Sequence, residues 1–353
     1  MSKKMKYILR SVVGFVIGCL VFSIFSYTVF HRSAYATIAE MCLRAGNNGE
    51  LESEQNARLW LEIRSSMEDK PYELNSKKYK NNAQLHEEYG SQIITFGDKE
   101  SAEHTILYLH GGAYVDAITD FHMHFCDRMA GKTDSYVIVP LYPLAPNHTY
   151  KETYELLDNM YGELRKSRDL IIMGDSAGGG MALSYCEYLN EKGIEQPDRL
   201  IAFSPWVDIS MTTSDYSEYQ ARDPIVEREG AVVMGEAWAG ELDTKDYRVS
   251  PYFGNLSGLT DITLFVGTRE ILYPDVVSFY ENLRTEDVNA ELIVGEGMNH
   301  IYPIYPFVPE SIRARNMAFR IIRDNVRPNA DKKEFSGLKR QSLTSKKINA
   351  TIF

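Results

Sequence analysis

The stretch that most constrains this chain runs from Leu170 to Gly180, Leu-Ile-Ile-Met-Gly-Asp-Ser-Ala-Gly-Gly-Gly. An apolar run suited to a buried parallel strand leads straight into Gly174-Asp175-Ser176-Ala177-Gly178. Met181, Leu183, Tyr185 and Leu189 then follow in a helical pattern. A serine on a sharp strand-to-helix turn has a strained backbone, so the residues two either side of it must be small. The turn lifts the hydroxyl above the sheet edge. The first N–H groups of the next helix then face any negative charge that develops there. Taken alone, Gly-x-Ser-x-Gly is also compatible with a plain glycine-rich turn.

A second stretch narrows the choice. Thr105-Ile106-Leu107-Tyr108-Leu109 reads as another buried strand, and it runs into His110-Gly111-Gly112-Ala113-Tyr114. Between the two stretches lies Leu141-Tyr142-Pro143-Leu144-Ala145-Pro146. In this order and spacing the three motifs resemble the hormone-sensitive-lipase-like esterase family of α/β-hydrolases, over residues 85–325. The sequence departs from the family pattern at Ala113 and Ala117, where the family has glycine. Both replacements are small and keep a backbone N–H.

The resemblance implies an α/β-hydrolase fold: a mostly parallel sheet flanked by helices, with a helical cap. It also implies catalytic residues in the chain order serine, acid, histidine. Ser176 takes the first place, and His300, in Gly297-Met298-Asn299-His300 after the last strand, matches the family histidine. The acid follows the strand at 262–266. The family's aspartate position, three after Gly267 and two before Leu272, carries Glu270, with Asp275 as second choice. The N–H groups of Gly111, Gly112, Ala113 and Ala177 are the expected oxyanion donors. The activity implied is hydrolysis of short- to medium-chain acyl esters through an acyl-enzyme, with no cofactor and no metal. Two other readings use the same residues: acyl transfer to a sugar or lipid hydroxyl, and non-catalytic ligand binding.

The periodicities agree with alternating strands and helices, hence a parallel sheet covered on both faces. Strands are expected at 92–96, 105–109, 136–140, 170–173, 199–204, 261–267 and 291–294. Helices are expected at 121–129, 150–164, 276–283 and 310–326. Tyr150, Tyr154, Leu157, Tyr161 and Leu164 recur at helical spacing. Residues 37–75 read as helical, with Ser53 as a cap and Pro71 as a stop. The long polar stretch from Val207 to Leu259 breaks the rhythm, which is unusual for a structureless loop. In the family such segments form the cap, so residues 37–75 and 207–259 are expected together over Ser176.

The net charge of −11 argues against a nucleic-acid partner. His122 and His124, near Cys126 and Asp127, read as the polar face of a helix, since a metal site needs a second ligand cluster. Four cysteines, Cys19, Cys42, Cys126 and Cys186, are widely scattered.

Residues 1–36 stand apart. Lys3, Lys4, Lys6 and Arg10 precede a charge-free run from Ser11 to Phe30, long enough to cross a bilayer once. The upstream positive flank places the N-terminus in the cytoplasm and the rest outside. Ala34-Tyr35-Ala36 also fits a signal-peptide cleavage site, so the segment is either an uncleaved anchor, the favoured reading, or a removed leader. With Cys19 in the span, at most one disulfide is open to the other three cysteines. Residues 327–353 carry seven Lys or Arg against two acids and few apolar residues, which suggests a tail without a fold of its own.

Overall fold

In the computed structural model, residues 3–67, 70–167 and 169–324 are described. The basic stretch at 327–353 lies outside them. Eight strands form one sheet: β1 (Gln84–Glu88), β2 (Ser91–Phe96), β3 (His104–Leu109), β4 (Ser135–Pro140), β5 (Leu170–Asp175), β6 (Arg199–Phe203), β7 (Asp261–Gly267) and β8 (Ala290–Gly295). Their order across the sheet is β1-β2-β4-β3-β5-β6-β7-β8. β2 pairs antiparallel with β1 and with β4, and every pairing from β4 to β8 is parallel.

Ten α-helices accompany the sheet among the described residues. They are α1 (Lys3–Phe30), α2 (Ala34–Gly46), α3 (Glu54–Ser66), α4 (Asp120–Thr133), α5 (Tyr150–Leu164), α6 (Ser176–Glu191), α7 (Ser217–Gln220), α8 (Arg228–Ala239), α9 (Tyr273–Thr285) and α10 (Pro309–Asp324). The central strands are apolar throughout because both faces of the sheet are covered. Leu107, Ile172, Leu200 and Leu264 enter a core shared with α5, α6 and α9. Their neighbours Ile106, Ile171, Ile201 and Phe265 enter a second core under α4 and α10.

Three local features differ from the sequence expectation. β1 has no apolar alternation and sits half exposed at the sheet edge, so its pairing with β2 alone defines it. The helical stretch expected at 37–75 is broken at residues 47–53 into α2, which starts at Ala34, and α3, which ends at Ser66; Ser53 caps α3 as expected, accepting from Asn56 N–H. His122 lies buried on α4 instead of on a polar outer face. All four cysteines are free, with Cys126 and Cys186 buried.

α1 is the one described helix long and apolar enough to cross a membrane, over Lys4–Phe30. Its C-terminal end is fixed to the rest of the molecule. After the turn at His31, Arg32 is buried and donates to Glu40 (2.6 Å), to the Gly297 carbonyl (3.2 Å) and to Asn299 (3.3 Å). Ser33 caps α2 and gives both its N–H and its hydroxyl to Glu310 of α10, at 2.6 and 2.8 Å.

α3 packs along α8, where the Gly230 backbone lies against that of Leu51. Arg44 and Asn47 donate to the carbonyls of Arg222 and Pro224, at 2.8 and 3.2 Å. Residues 34–66 and 211–239 therefore pack against one another.

Candidate active site

β5 ends at Asp175, and Ser176 opens α6 with a left-handed backbone, φ +52°. The turn is that tight because it is crowded: a Cβ on Gly178 would overlap the Leu109 carbonyl, and one on Gly174 would overlap the Gly178 carbonyl. Trp206 N–H closes the other side on the Ser176 carbonyl at 2.9 Å. The small residues of the motif are thus a packing requirement at the junction of β3, β5 and β6.

The Ser176 hydroxyl lies 2.8 Å from His300 Nε2, and His300 Nδ1 lies 2.5 Å from Glu270 Oε2. Serine, imidazole and carboxylate therefore form a continuous hydrogen-bonded line across the ends of β5, β7 and β8. Both His300 and Glu270 are buried. Burial by itself would lower the imidazole pKa. The hydrogen bond and charge of Glu270 reverse that, with help from Asp223 and Asp175, and hold His300 above its ordinary value.

Glu270 is oriented through its other oxygen. Oε1 accepts from the Ser204 hydroxyl (2.8 Å) and from Gly267 N–H (2.5 Å), while Ser204 Oγ accepts from Ile301 N–H (2.9 Å). Ser204 thus links the acid to the residue after His300. Its only trace in the sequence is its place at the end of a strand, in Ser-Pro-Trp.

Asp275 is elsewhere. It sits in the first turn of α9, buried, and accepts from Thr213 (2.8 Å) and Tyr216 (2.7 Å). Burial raises its pKa. It fastens the 207–259 segment to α9, a role beyond the helix-terminus charge that its position suggests.

Asp223 makes a similar tie. Its carboxylate accepts from the N–H groups of Ile225, Val226 and Ile271, so it joins the same segment to the loop that carries Glu270. Burial pushes it up to about 6 against the opposing pull of His300.

The His110–Tyr114 loop lies against the elbow, where Gly111 has no room for a side chain beside Asp175 and Ser176. His110 donates from Nδ1 to the Gly111 carbonyl (2.7 Å) and stacks on Tyr142 with ring centroids 4.4 Å apart. Burial, then the neighbouring His122, lowers its pKa to about 4. Gly112, Ala113 and Tyr114 all have positive φ, at +127°, +51° and +65°. This run curls the loop so that Val115 and Asp116 N–H return to the Gly112 carbonyl. Ala113 accepts a conformation that favours glycine, at a cost of about 1 kcal/mol.

A second polar chain, which no pattern in the sequence announces, lies behind the serine. Asp175 accepts from Tyr108 OH (2.5 Å) and from His122 Nε2 (3.1 Å). His122 Nδ1 in turn accepts from Thr119 N–H (3.1 Å), which puts the ring hydrogen on Nε2. Burial would raise Asp175, yet His122 and Tyr108 bring it below the ordinary carboxylate range. The signal was present in Gly-Asp-Ser, but nothing in the spacing tied His122 to it.

Ser176 and His300 face a cavity of about 820 Å³. Tyr35, Ile38 and Leu43 of α2 line one side of it, and Ile225, Val226 and Met234 another. Among the described residues no group of three His, Cys, Asp or Glu side chains is placed to hold a metal ion.

Comparison with known proteins gives the same architecture. Residues 106–304 match a family model described as the alpha/beta hydrolase fold. An esterase of Acinetobacter venetianus is 31% identical over 61% of this chain and 73% of its own length. The crystal structure of a candidate esterase from Staphylococcus aureus superposes with a TM-score of 0.71 at 26% identity, covering 77% of this chain and 92% of that one. A hormone-sensitive lipase from a metagenome library has the same fold, with a TM-score of 0.69 at 23% identity over 82% and 99% of the two chains.

Proposed function

The chain belongs to the α/β-hydrolase family, among its esterase and lipase-like enzymes, and from that premise we propose that it cleaves short- to medium-chain acyl esters through an acyl-enzyme on Ser176. The observation that carries this reading is the 2.8 Å and 2.5 Å sequence of contacts from Ser176 through His300 to Glu270. His300 Nε2 takes the hydroxyl proton as Oγ adds to the ester carbonyl, then returns it to the departing alkoxide. Glu270 holds the ring in the tautomer this needs and stabilises its charged form. The N–H groups of Gly111, Gly112, Ala113 and Ala177 receive the oxyanion, each donor worth about 3 kcal/mol of barrier. Water attacks the acyl-enzyme with His300 as base and restores the serine.

Residues 37–75 and 207–259 act as the cap. Support comes from their shared packing and from the side chains both contribute to the cavity above Ser176.

α1 is read as an uncleaved membrane anchor with the catalytic domain outside. Cleavage after Ala36 would remove Arg32 and Ser33, whose bonds to Glu40, Asn299 and Glu310 brace the domain. The full-length protein should therefore sediment with membranes and resist carbonate extraction. A soluble product beginning at Thr37 would refute the anchor.

The activity itself is tested with a p-nitrophenyl ester series of increasing chain length and with a fluorophosphonate probe. Ser176→Ala should lose both turnover and labelling. A parent protein that neither labels nor turns over would overturn the assignment. Ester products formed with an added alcohol would point to acyl transfer.

A further inference from the structure

α2 is built inside out for a helix in water. Its polar residues Thr37 and Glu40 are buried, while Tyr35, Ile38, Met41 and Cys42 are exposed along one stripe. Burying the charged face and leaving the apolar face in water is unfavourable unless something apolar covers it. Tyr35, Ile38 and Cys42 also line the cavity that holds Ser176, so the stripe forms one lip of its mouth. Phe121 and Phe307, which are 61% and 82% exposed, also line this cavity.

The position of this rim says what covers it. α1, the apolar helix, ends at Phe30, and α2 begins at Ala34. Tyr35 is five residues beyond Phe30, at most about 18 Å of fully extended chain, so it lies within reach of the level at which α1 leaves a bilayer. The junction is held by buried bonds of Arg32 and Ser33 to the catalytic domain, so the mouth cannot swing freely away. Aromatic side chains such as Tyr35, Phe121 and Phe307 favour the headgroup region.

We propose that the mouth of the cavity rests on the bilayer surface and that the substrate is an acyl ester of a membrane lipid, drawn from that leaflet acyl chain first. The proposal rests on the reading of Ser176 as the acyl-accepting nucleophile. Ser176 Oγ bonds to the acyl carbon, the bond to the lipid's alcohol oxygen breaks, and His300 delivers the serine proton to that oxygen. Water then releases the carboxylic acid. The apolar stripe of α2 seats the mouth, and the cavity receives the chain without its crossing water.

The test uses the full chain reconstituted in vesicles of phosphatidylcholine and phosphatidylglycerol that contain didecanoylglycerol. Fatty-acid release from the vesicles is compared with hydrolysis of dissolved p-nitrophenyl acetate. Met41 is 60% exposed on the α2 stripe and does not line the cavity. Met41→Asp should lower release from the vesicles by about tenfold and leave p-nitrophenyl acetate turnover unchanged. Cleavage of the dissolved ester with no release from vesicles overturns the proposal. So does a Met41→Asp variant whose two rates keep the parental ratio, the result expected if the stripe is covered by a protein partner. Absence of both activities and of fluorophosphonate labelling would refute the nucleophile assignment itself.

Discussion

Replacing Glu40 by glutamine should be among the most damaging single changes outside the serine's immediate contacts. The carboxylate is the centre of a buried cluster. Oε2 accepts from Arg32 (2.6 Å), Arg269 (2.9 Å) and Asn299 (3.2 Å), and Oε1 accepts from Arg269 and Arg44, both at 3.0 Å. The Phe30 ring stands beside both Arg32 and Arg269, about 5 Å from each guanidinium. Burial alone would raise the Glu40 pKa, but the hydrogen bonds of Arg269 and Arg32 hold it down at about 2.

A depression of that size is worth roughly 3 kcal/mol of folding stability at neutral pH. Removing one member of a buried ion pair gives a similar figure, about 3–5 kcal/mol, because the remaining charge is left unpaired. Glu40→Gln keeps the shape but removes the charge and turns one of the two accepting oxygens into an N–H donor, which leaves Arg32 buried without this counter-ion. Melting should fall by roughly 6–12 °C.

The variant should also lose turnover severalfold, because Arg269 adjoins Glu270 and Asn299 adjoins His300. Thermal unfolding and kcat/KM on one soluble ester, measured side by side, read both effects. The sign with pH is fixed. A folded-state pKa below the unfolded value gives stability that is fully present above pH about 4.5 and lost as pH falls toward 2. The gap between parent and variant should therefore narrow below about pH 4.5. A variant as stable as the parent at pH 7, or a gap that does not change with acid, would refute the reasoning.

The acid assignment separates cleanly. Glu270→Gln should stay folded and lose about 10⁴ in kcat, whereas Asp275→Asn should cost roughly 0.5–2 kcal/mol of stability with a modest loss of rate. An inactive Asp275→Asn beside a fully active Glu270→Gln would reverse the roles. The pH profile follows from His300, which must be neutral to accept the serine proton. Since Glu270 holds its pKa above the ordinary 6.5, the acid limb of kcat/KM should have its midpoint above pH 6.5. A midpoint below 6.5 in the parent would contradict the observed pairing.

The sheet and the elbow were legible because their rules are local. A buried parallel strand must be apolar on both faces, and a Gly-x-Ser-x-Gly turn between strand and helix tolerates little else, so β3, β5, β7 and Ser176 could be read directly. The choice of Glu270 over Asp275 came from the family resemblance, whose acid position falls three residues after Gly267 and so close to the end of the strand. The sequence also determined that α1 is apolar enough to span a bilayer.

Other features depended on pairs distant in the chain. The bond from His122 to Asp175, the brace from Ser204 to Glu270 and the Asp275 ties to Thr213 and Tyr216 join residues 53, 66 and 59–62 positions apart. No period or spacing encodes such contacts, which exist only once the strands have set their loops side by side. α2 shows the same limit most clearly. Its pattern gives a helix in either environment. The buried Arg32 and the part-buried Arg269 decide that Glu40 turns inward and that Tyr35, Ile38 and Met41 turn outward. A carboxylate meeting three guanidinium groups gains more than its burial costs, and the apolar side chains take the face that remains.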